Sequence, residues 1–311
     1  MRFLNPRTDF AFKKIFGSAE SQDILLSFLN AILNLQSPYR IEEVQILDPY
    51  LAPKIQGMKD TYVDVCAVDE TGRQLIVEMQ VLNVQGFEQR VLYNACKAYA
   101  GQIRAGEDYC ALADVVALTI TDFTMFPERP EVVSKFKLRA HDGALYSDDL
   151  ELVFAELPKF DRGDSDLPTL LDKWFYFLKH ADDLRTVPTA LDSDPAIRHA
   201  LAIANRAGLT PEEDEAQSRR EIFIQDQRGA LAKALADGEA KGLVEGEAKG
   251  LAEGEAKGLA KGEAKGLAEG EAKLQAEKLR IAQTLLPLFA DDAQIAVVTG
   301  LDIDMVRALR R

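Results

Sequence analysis

The segment from residue 60 to 80, Asp-Thr-Tyr-Val-Asp-Val-Cys-Ala-Val-Asp-Glu-Thr-Gly-Arg-Gln-Leu-Ile-Val-Glu-Met-Gln, constrains the fold more than any other stretch of the chain. Two runs rich in β-branched residues flank Glu70-Thr71-Gly72. A three-residue hairpin loop places its last residue in the left-handed region, where glycine is favoured, and Gly72 stands there. Such a loop opposes Asp69 to Arg73. Carried back along the strands, the same register opposes Asp64 to Glu78, with Cβ atoms about 4.5–5.5 Å apart on one face. Gln80 shares that face because strand side chains alternate with a period of two.

Two carboxylates so placed repel, and burial sharpens the repulsion. Val63, Val65, Ile76 and Val77 surround them with apolar groups, so the pair is not a surface charge ladder. A divalent cation resolves the conflict. Mg²⁺ takes one or two protein carboxylates and completes its octahedron with water and phosphate oxygens. An incidental pair on a half-exposed sheet is the alternative.

The surrounding chain reads as a mixed α/β sheet flanked by helices. Residues 3–35 carry two helices, the first started by Asn5-Pro6 and Thr8 and stopped by Gly17. Strand patterns follow at 41–47, 62–68 and 74–81, then a long amphipathic helix at 87–104, and strands at 115–121, 135–139 and 150–154. This order defines a compact core over residues 1–157. Residues 158–230 are helical and polar, and Trp174, the single tryptophan, is read as the centre of a helix packed on that core.

Residues 231–273 hold a tandem octapeptide, Gly-Glu-Ala-Lys-Gly-Leu-x-x, starting at Gly238, Gly246, Gly254 and Gly262, with a truncated copy at Gly270. Glutamate, alanine, lysine and leucine favour helix, and Glu245–Lys249 and Glu253–Lys257 have i,i+4 spacing. Each glycine costs about 1 kcal/mol relative to alanine. Eight residues overshoot two helical turns by about 80°, so Leu243, Leu251, Leu259 and Leu267 spiral around the axis and make no coiled-coil seam. The repeat is expected to act as a semi-flexible spacer, with an oligomerising segment, and hence a homo-oligomer, as the alternative. Residues 274–311 form a small helical module. Its helix, Thr-Gly turn, helix outline resembles a helix-turn-helix, but Asp302 and Asp304 open the second helix where a DNA reader needs neutral or basic groups. A packing or protein-contact module is the favoured reading there.

Charge limits the partners. A net charge of −14 opposes indiscriminate nucleic-acid binding, so any DNA-binding surface must be local. Cys66, Cys96 and Cys110 form no C-x-x-C pair, His141, His180 and His199 lack metal-ligand spacing, and no apolar run reaches membrane-spanning length. A reduced, cytoplasmic chain with no membrane partner is expected.

The pattern of Thr8-Asp-Phe-Ala-Phe-Lys-Lys-Ile-Phe-Gly17, Asp64-Val65, Ile76-Val-Glu-Met-Gln80, Arg90-Val-Leu-Tyr93, Tyr99 and Gly106-Glu-Asp-Tyr109 resembles the Rpn family of recombination-promoting nucleases and transposase-like proteins, within the PD-(D/E)XK superfamily. The resemblance covers roughly residues 3–230. It implies a restriction-endonuclease-like fold and a metal site made by Asp64, Glu78 and the backbone carbonyl of Met79, occupied by Mg²⁺ with Mn²⁺ able to substitute. The superfamily lysine that assists the attacking water falls at Gln80. An amide there orients water through hydrogen bonds without bringing a charge. Asp9 matches the family's N-terminal D-x-x-F-K pattern and is either an outer carboxylate of the site or a helix-start acid. Arg90, Tyr93 and Lys97 lie on one helix face that either meets phosphate or is simply solvated.

The leading expectation is a metal-dependent DNA endonuclease with Asp64, Glu78 and Gln80 as catalytic residues, linked by resemblance to recombination or mobile elements. The alternatives are a catalytically weak relative that binds nucleic acid and an interaction protein driven by its repeat.

Overall fold

The computed structural model describes residues 2–51 and 59–310. The chain divides into two compact units, Met1–Ala230 and Leu231–Arg311.

The first unit is built on a six-stranded mixed sheet. Helices α1 (Asp9–Phe16) and α2 (Gln22–Ile32) precede β1 (Val44–Leu47), and the short strands β2 (Tyr50–Leu51) and β3 (Thr61–Tyr62) pair with each other outside the main sheet. β4 (Val65–Asp69) and β5 (Gln74–Gln80) follow, then α3 (Phe87–Ala100), β6 (Val115–Thr121), β7 (Val133–Arg139) and β8 (Leu145–Glu156). Helices α4 (Leu170–His180), α5 (Thr189–Asp192) and α6 (Pro195–Ala204) close the unit, together with the first part of α7 (Pro211–Leu285). The strand order is β1-β4-β5-β6-β8-β7. β5, β6 and β8 are parallel neighbours, and antiparallel pairs flank them on both sides. The expected helix at 87–104 ends at Ala100, where Gly101 caps it, and the last expected strand begins earlier, at Leu145.

The hairpin register is the one the three-residue loop demands. Val65 faces Val77, Cys66 faces Ile76, and Gly72 has a φ of 87°. Asp69 fastens the turn: its Oδ1 accepts from the backbone N–H groups of Thr71 and Arg73, and its Oδ2 pairs with Arg73 Nε at 2.8 Å.

Strand alternation divides β5 between two layers. Leu75, Val77 and Met79 enter the main core, with Phe12 and Phe16 of α1, Phe28 of α2 and Trp174 of α4. Trp174 is fully buried, with its ring centroid 5.8 Å from Phe16 and 5.7 Å from Phe28, and its indole N–H donates to Ser27 Oγ. Ile76 instead packs with Ala95 and Ala98 of α3. Glu78 and Gln80 therefore point to the α3 side.

In the second unit, the octapeptides lie within α7, and α8 (Asp292–Thr299) and α9 (Ile303–Leu309) join its last turns. Ala282, Ile295, Leu301 and Val306 form a small core, with Gly300 in the left-handed conformation (φ 65°) as the C-cap of α8. The repeat leucines Leu243, Leu251, Leu259 and Leu267 are 66%, 68%, 68% and 69% exposed, as on a helix that is solvated on every side. Glu253 pairs with Lys257 at 3.6 Å as its spacing suggests, whereas Glu245 turns back to Lys241 at 3.8 Å, not forward to Lys249.

Candidate active site

The loop register would set Val63 opposite Met79 as the next hydrogen-bonded pair, but β4 ends at Val65. The Val63 N–H donates to the Pro49 carbonyl, and the Met79 N–H donates to Asp64 Oδ2 at 2.8 Å. A side chain thus completes a rung of the sheet. Asp64 lies in a bend just before β4, outside the paired strand, where its side chain reaches the Met79 N–H.

That bend brings Asp64 to α1. Thr8 caps the helix, and Asp9 and Lys13 sit one turn apart on it. Lys13 Nζ lies 2.7 Å from Asp9 Oδ1 and 3.5 Å from Asp64 Oδ1. Gly17, just beyond α1, lets the helix end approach β4. A Cβ there would meet the Lys13 carbonyl at 2.9 Å and Val65 Cγ2 at 3.4 Å.

Glu78 is buried against α3, where Asn94 Nδ2 donates to its Oε1 at 2.7 Å. Asn94 Oδ1 is buried and has no partner. Gln80 is held at both ends: Arg90 donates to its Oε1 at 2.6 Å, and its Nε2 donates to the Leu82 carbonyl at 2.7 Å. Lys97 does not share an open face with Arg90. It is buried, with Nζ donating to Thr61 Oγ1 at 2.6 Å and to the Lys59 carbonyl at 2.7 Å, while Tyr93 is half-buried beneath it.

Burial dominates the electrostatics. It pushes Asp64 up to about 7 against the pull of the Met79 N–H, with Asp9 adding to the rise. Burial likewise raises Glu78, opposed by Asn94, Arg90 and Lys13. Asp9, within hydrogen-bonding reach of Asp64, is also pulled upward by burial, but Lys13 and Asp64 together hold it below its ordinary value. Burial thus raises Asp64, the less exposed of the two, while Lys13 holds down Asp9, the more exposed one.

Sequence reasoning assigns no role to Lys13 or Asn94, although Lys13 is the lysine of the D-x-x-F-K pattern that begins at Asp9. Asn94 had a signal: it is a polar residue on the apolar stripe of α3 formed by Phe87, Val91, Ala95 and Ala98.

Among the described residues, no cluster of three or more His, Cys, Asp or Glu side chains forms a ready ligand set. The donors present still suit a hard cation, which needs only one or two carboxylates beside carbonyl and water oxygens. Asp64 and Glu78 offer desolvated carboxylate oxygens, and an unsatisfied amide oxygen lies beside Glu78. The residues fit a divalent metal.

The site thus gathers, on a mixed α/β sheet, a buried carboxylate, Glu78, a half-buried one, Asp64, and a helix-borne lysine. The chain belongs to the PD-(D/E)XK nuclease family transposases, whose sequence model matches residues 6–234. No curated protein and no solved structure matches it. PD-(D/E)XK nucleases generally use divalent metal ions. Among the described residues, no helix is long and apolar enough to cross a membrane.

Proposed function

We propose that the chain is a Mg²⁺-dependent DNA endonuclease that hydrolyses phosphodiester bonds, with Mn²⁺ able to substitute. The observation that supports this most is the pair of desolvated carboxylates, Asp64 and Glu78, in a chain of this family. Asp64, Glu78 and the Met79 carbonyl would hold the ion. Bound there, it would activate a water and stabilise charge on the phosphodiester. The protein's own part is positioning. Met79 fixes Asp64 Oδ2, which leaves Oδ1 on the Lys13 side, and Asn94 fixes Glu78 Oε1. The family's transposase description supports a link to recombination or mobile elements.

One observation favours a second reading, nucleic-acid binding without useful cleavage: Gln80 brings no charge to the site, and its Oε1 and Nε2 are already bonded to Arg90 and to the Leu82 carbonyl. Nicking of supercoiled and single-stranded DNA in Mg²⁺, Mn²⁺ or EDTA separates the two. Glu78→Gln is expected to abolish nicking and the rise in melting temperature that ~10 mM Mg²⁺ gives the wild type, since a ligand of the native state stabilises it. In EDTA the same variant is expected to melt no lower than wild type, because a desolvated charge is gone. A Glu78→Gln protein that still responds to Mg²⁺ and still cuts would sink the assignment.

A further inference from the structure

A cation beside the attacking water and the phosphate is what position 80 fails to supply. The nearby cations differ sharply in what already occupies them. Arg90 is bonded to Gln80 and stacked 5.3 Å from the Phe87 ring centroid. Lys14 turns away to Glu213 at 2.6 Å, and Lys97 is buried against Thr61. Lys13 is different: its ion pairs are with Asp9 and Asp64, and its charge also acts on Glu78.

The two ion pairs are unequal. Asp9 is at 2.7 Å and one helical turn away, an i,i+4 acid-to-lysine spacing that a helix favours, whereas Asp64 is at 3.5 Å. Once Asp64 is engaged as a ligand, Lys13 keeps Asp9 and has ammonium N–H donors to spare. The close approach of α1 to β4 at Gly17 holds this group at the carboxylates.

We propose that Lys13 is the lysine of this active site, delivered by α1 in place of the strand position held by Gln80, and that Asp9 is the residue that positions it. The proposal rests on the metal-dependent nuclease reading. Lys13 donates to a non-bridging oxygen of the scissile phosphate and to the attacking water. The water oxygen forms the new P–O bond, the bond to the leaving oxygen breaks, the water's proton passes to solvent and the leaving oxygen takes one from solvent. Lys13 stays an ammonium and offsets the charge that builds on the phosphoryl oxygens.

The test compares wild type, Lys13→Met, Asp9→Asn, Asp9→Glu and the double variant Lys13→Met/Gln80→Lys. Nicking in Mg²⁺ is expected to fall about 100-fold or more in Lys13→Met, the usual loss when one transition-state donor is removed. The Mg²⁺-induced rise in melting temperature should persist or grow in that variant, because the carboxylates lose a competing cation. Asp9→Asn should lose less, about tenfold and mainly in kcat, Asp9→Glu should retain activity, and Gln80→Lys should restore part of what Lys13→Met lost. Wild-type nicking by Lys13→Met, or loss of its Mg²⁺ response together with its activity, overturns the proposal. If the wild type cuts no DNA, the nuclease reading fails, and Lys13 is judged by anisotropy with a short duplex in Ca²⁺. Binding about tenfold weaker in Lys13→Met, with a salt slope smaller by about one, supports its phosphate contact. Unchanged binding overturns it.

Discussion

The carboxylate end of the sheet and the repeat in α7 use the same vocabulary of glutamate, lysine and apolar side chains, and differ in what those residues touch. Lys13 contacts two acids from different elements, Glu78 is buried under Asn94, and Met79 reaches Asp64 across a missing rung. In the repeat, Lys257 meets only Glu253 one turn away, with 81% and 72% of the two side chains exposed. Exposed pairs of that kind contribute about 0.3–0.5 kcal/mol. The leucines there stand in solvent, while the aromatic rings of the first unit close on one another. Regularity in sequence and specificity in structure are therefore separate properties here. The most patterned segment is the least constrained by contacts, and the least patterned residues, scattered over α1, β4, β5 and α3, converge.

Side-chain truncation should separate the two regions most. Trp174→Ala, which empties a fully enclosed ring site, is expected to cost about 3–5 kcal/mol. Leu259→Ala, an exposed apolar truncation of comparable chemistry, should stay within about 0.5 kcal/mol. Urea melts of both would show it, and similar losses would mean the repeat leucines are packed in solution.

Asp64 sits at about 7 in the folded chain against an ordinary value of 3.8, so between these limits the native state holds a proton that the unfolded chain releases. Stability is then complete below 3.8 and is lost as pH climbs through about 7, with Glu78 acting in the same direction. The slope for one proton is at most ~1.4 kcal/mol per pH unit. Asp9, shifted downward, acts oppositely and only at lower pH. Melts in EDTA across this interval should show the fall in wild type and a shallower one in Asp64→Asn. Identical profiles would show that Asp64 is not desolvated.

The hairpin was legible because its turn is local: three residues and one glycine determine which strand positions meet. What happens at its open end was not, because it depends on Pro49 taking the Val63 N–H. No spacing rule announces that β4 stops one residue short of Asp64. The placement of Asp9 followed the family pattern, yet its partner Lys13 lay inside that same pattern as one of two adjacent lysines. Only docking shows that Lys13 faces Asp64 while Lys14 faces Glu213. Lys97 shows the opposite error. Its helical spacing from Arg90 is as read, but Thr61 and the Lys59 carbonyl enclose it.

The smallest expected effect lies in the repeat itself. Deleting one octet, residues 246–253, removes only groups with solvent around them, and the glycines there have open space where a Cβ would stand. The melting temperature, the oligomeric state and DNA nicking should all be unchanged. Light scattering that shows a lost assembly after this deletion would make the repeat an interface.

The bond from Met79 to Asp64 also gives the molecule a reporter of its own. An amide proton in a strand normally exchanges with solvent at a rate set by opening of the ladder, whereas this one is guarded by a carboxylate that can be protonated, paired with Lys13 or drawn toward a cation. Its deuterium uptake and its NMR shift should follow those events one residue from Glu78, without any introduced label. A single backbone position would then register occupancy of the site before any bond in a substrate is broken.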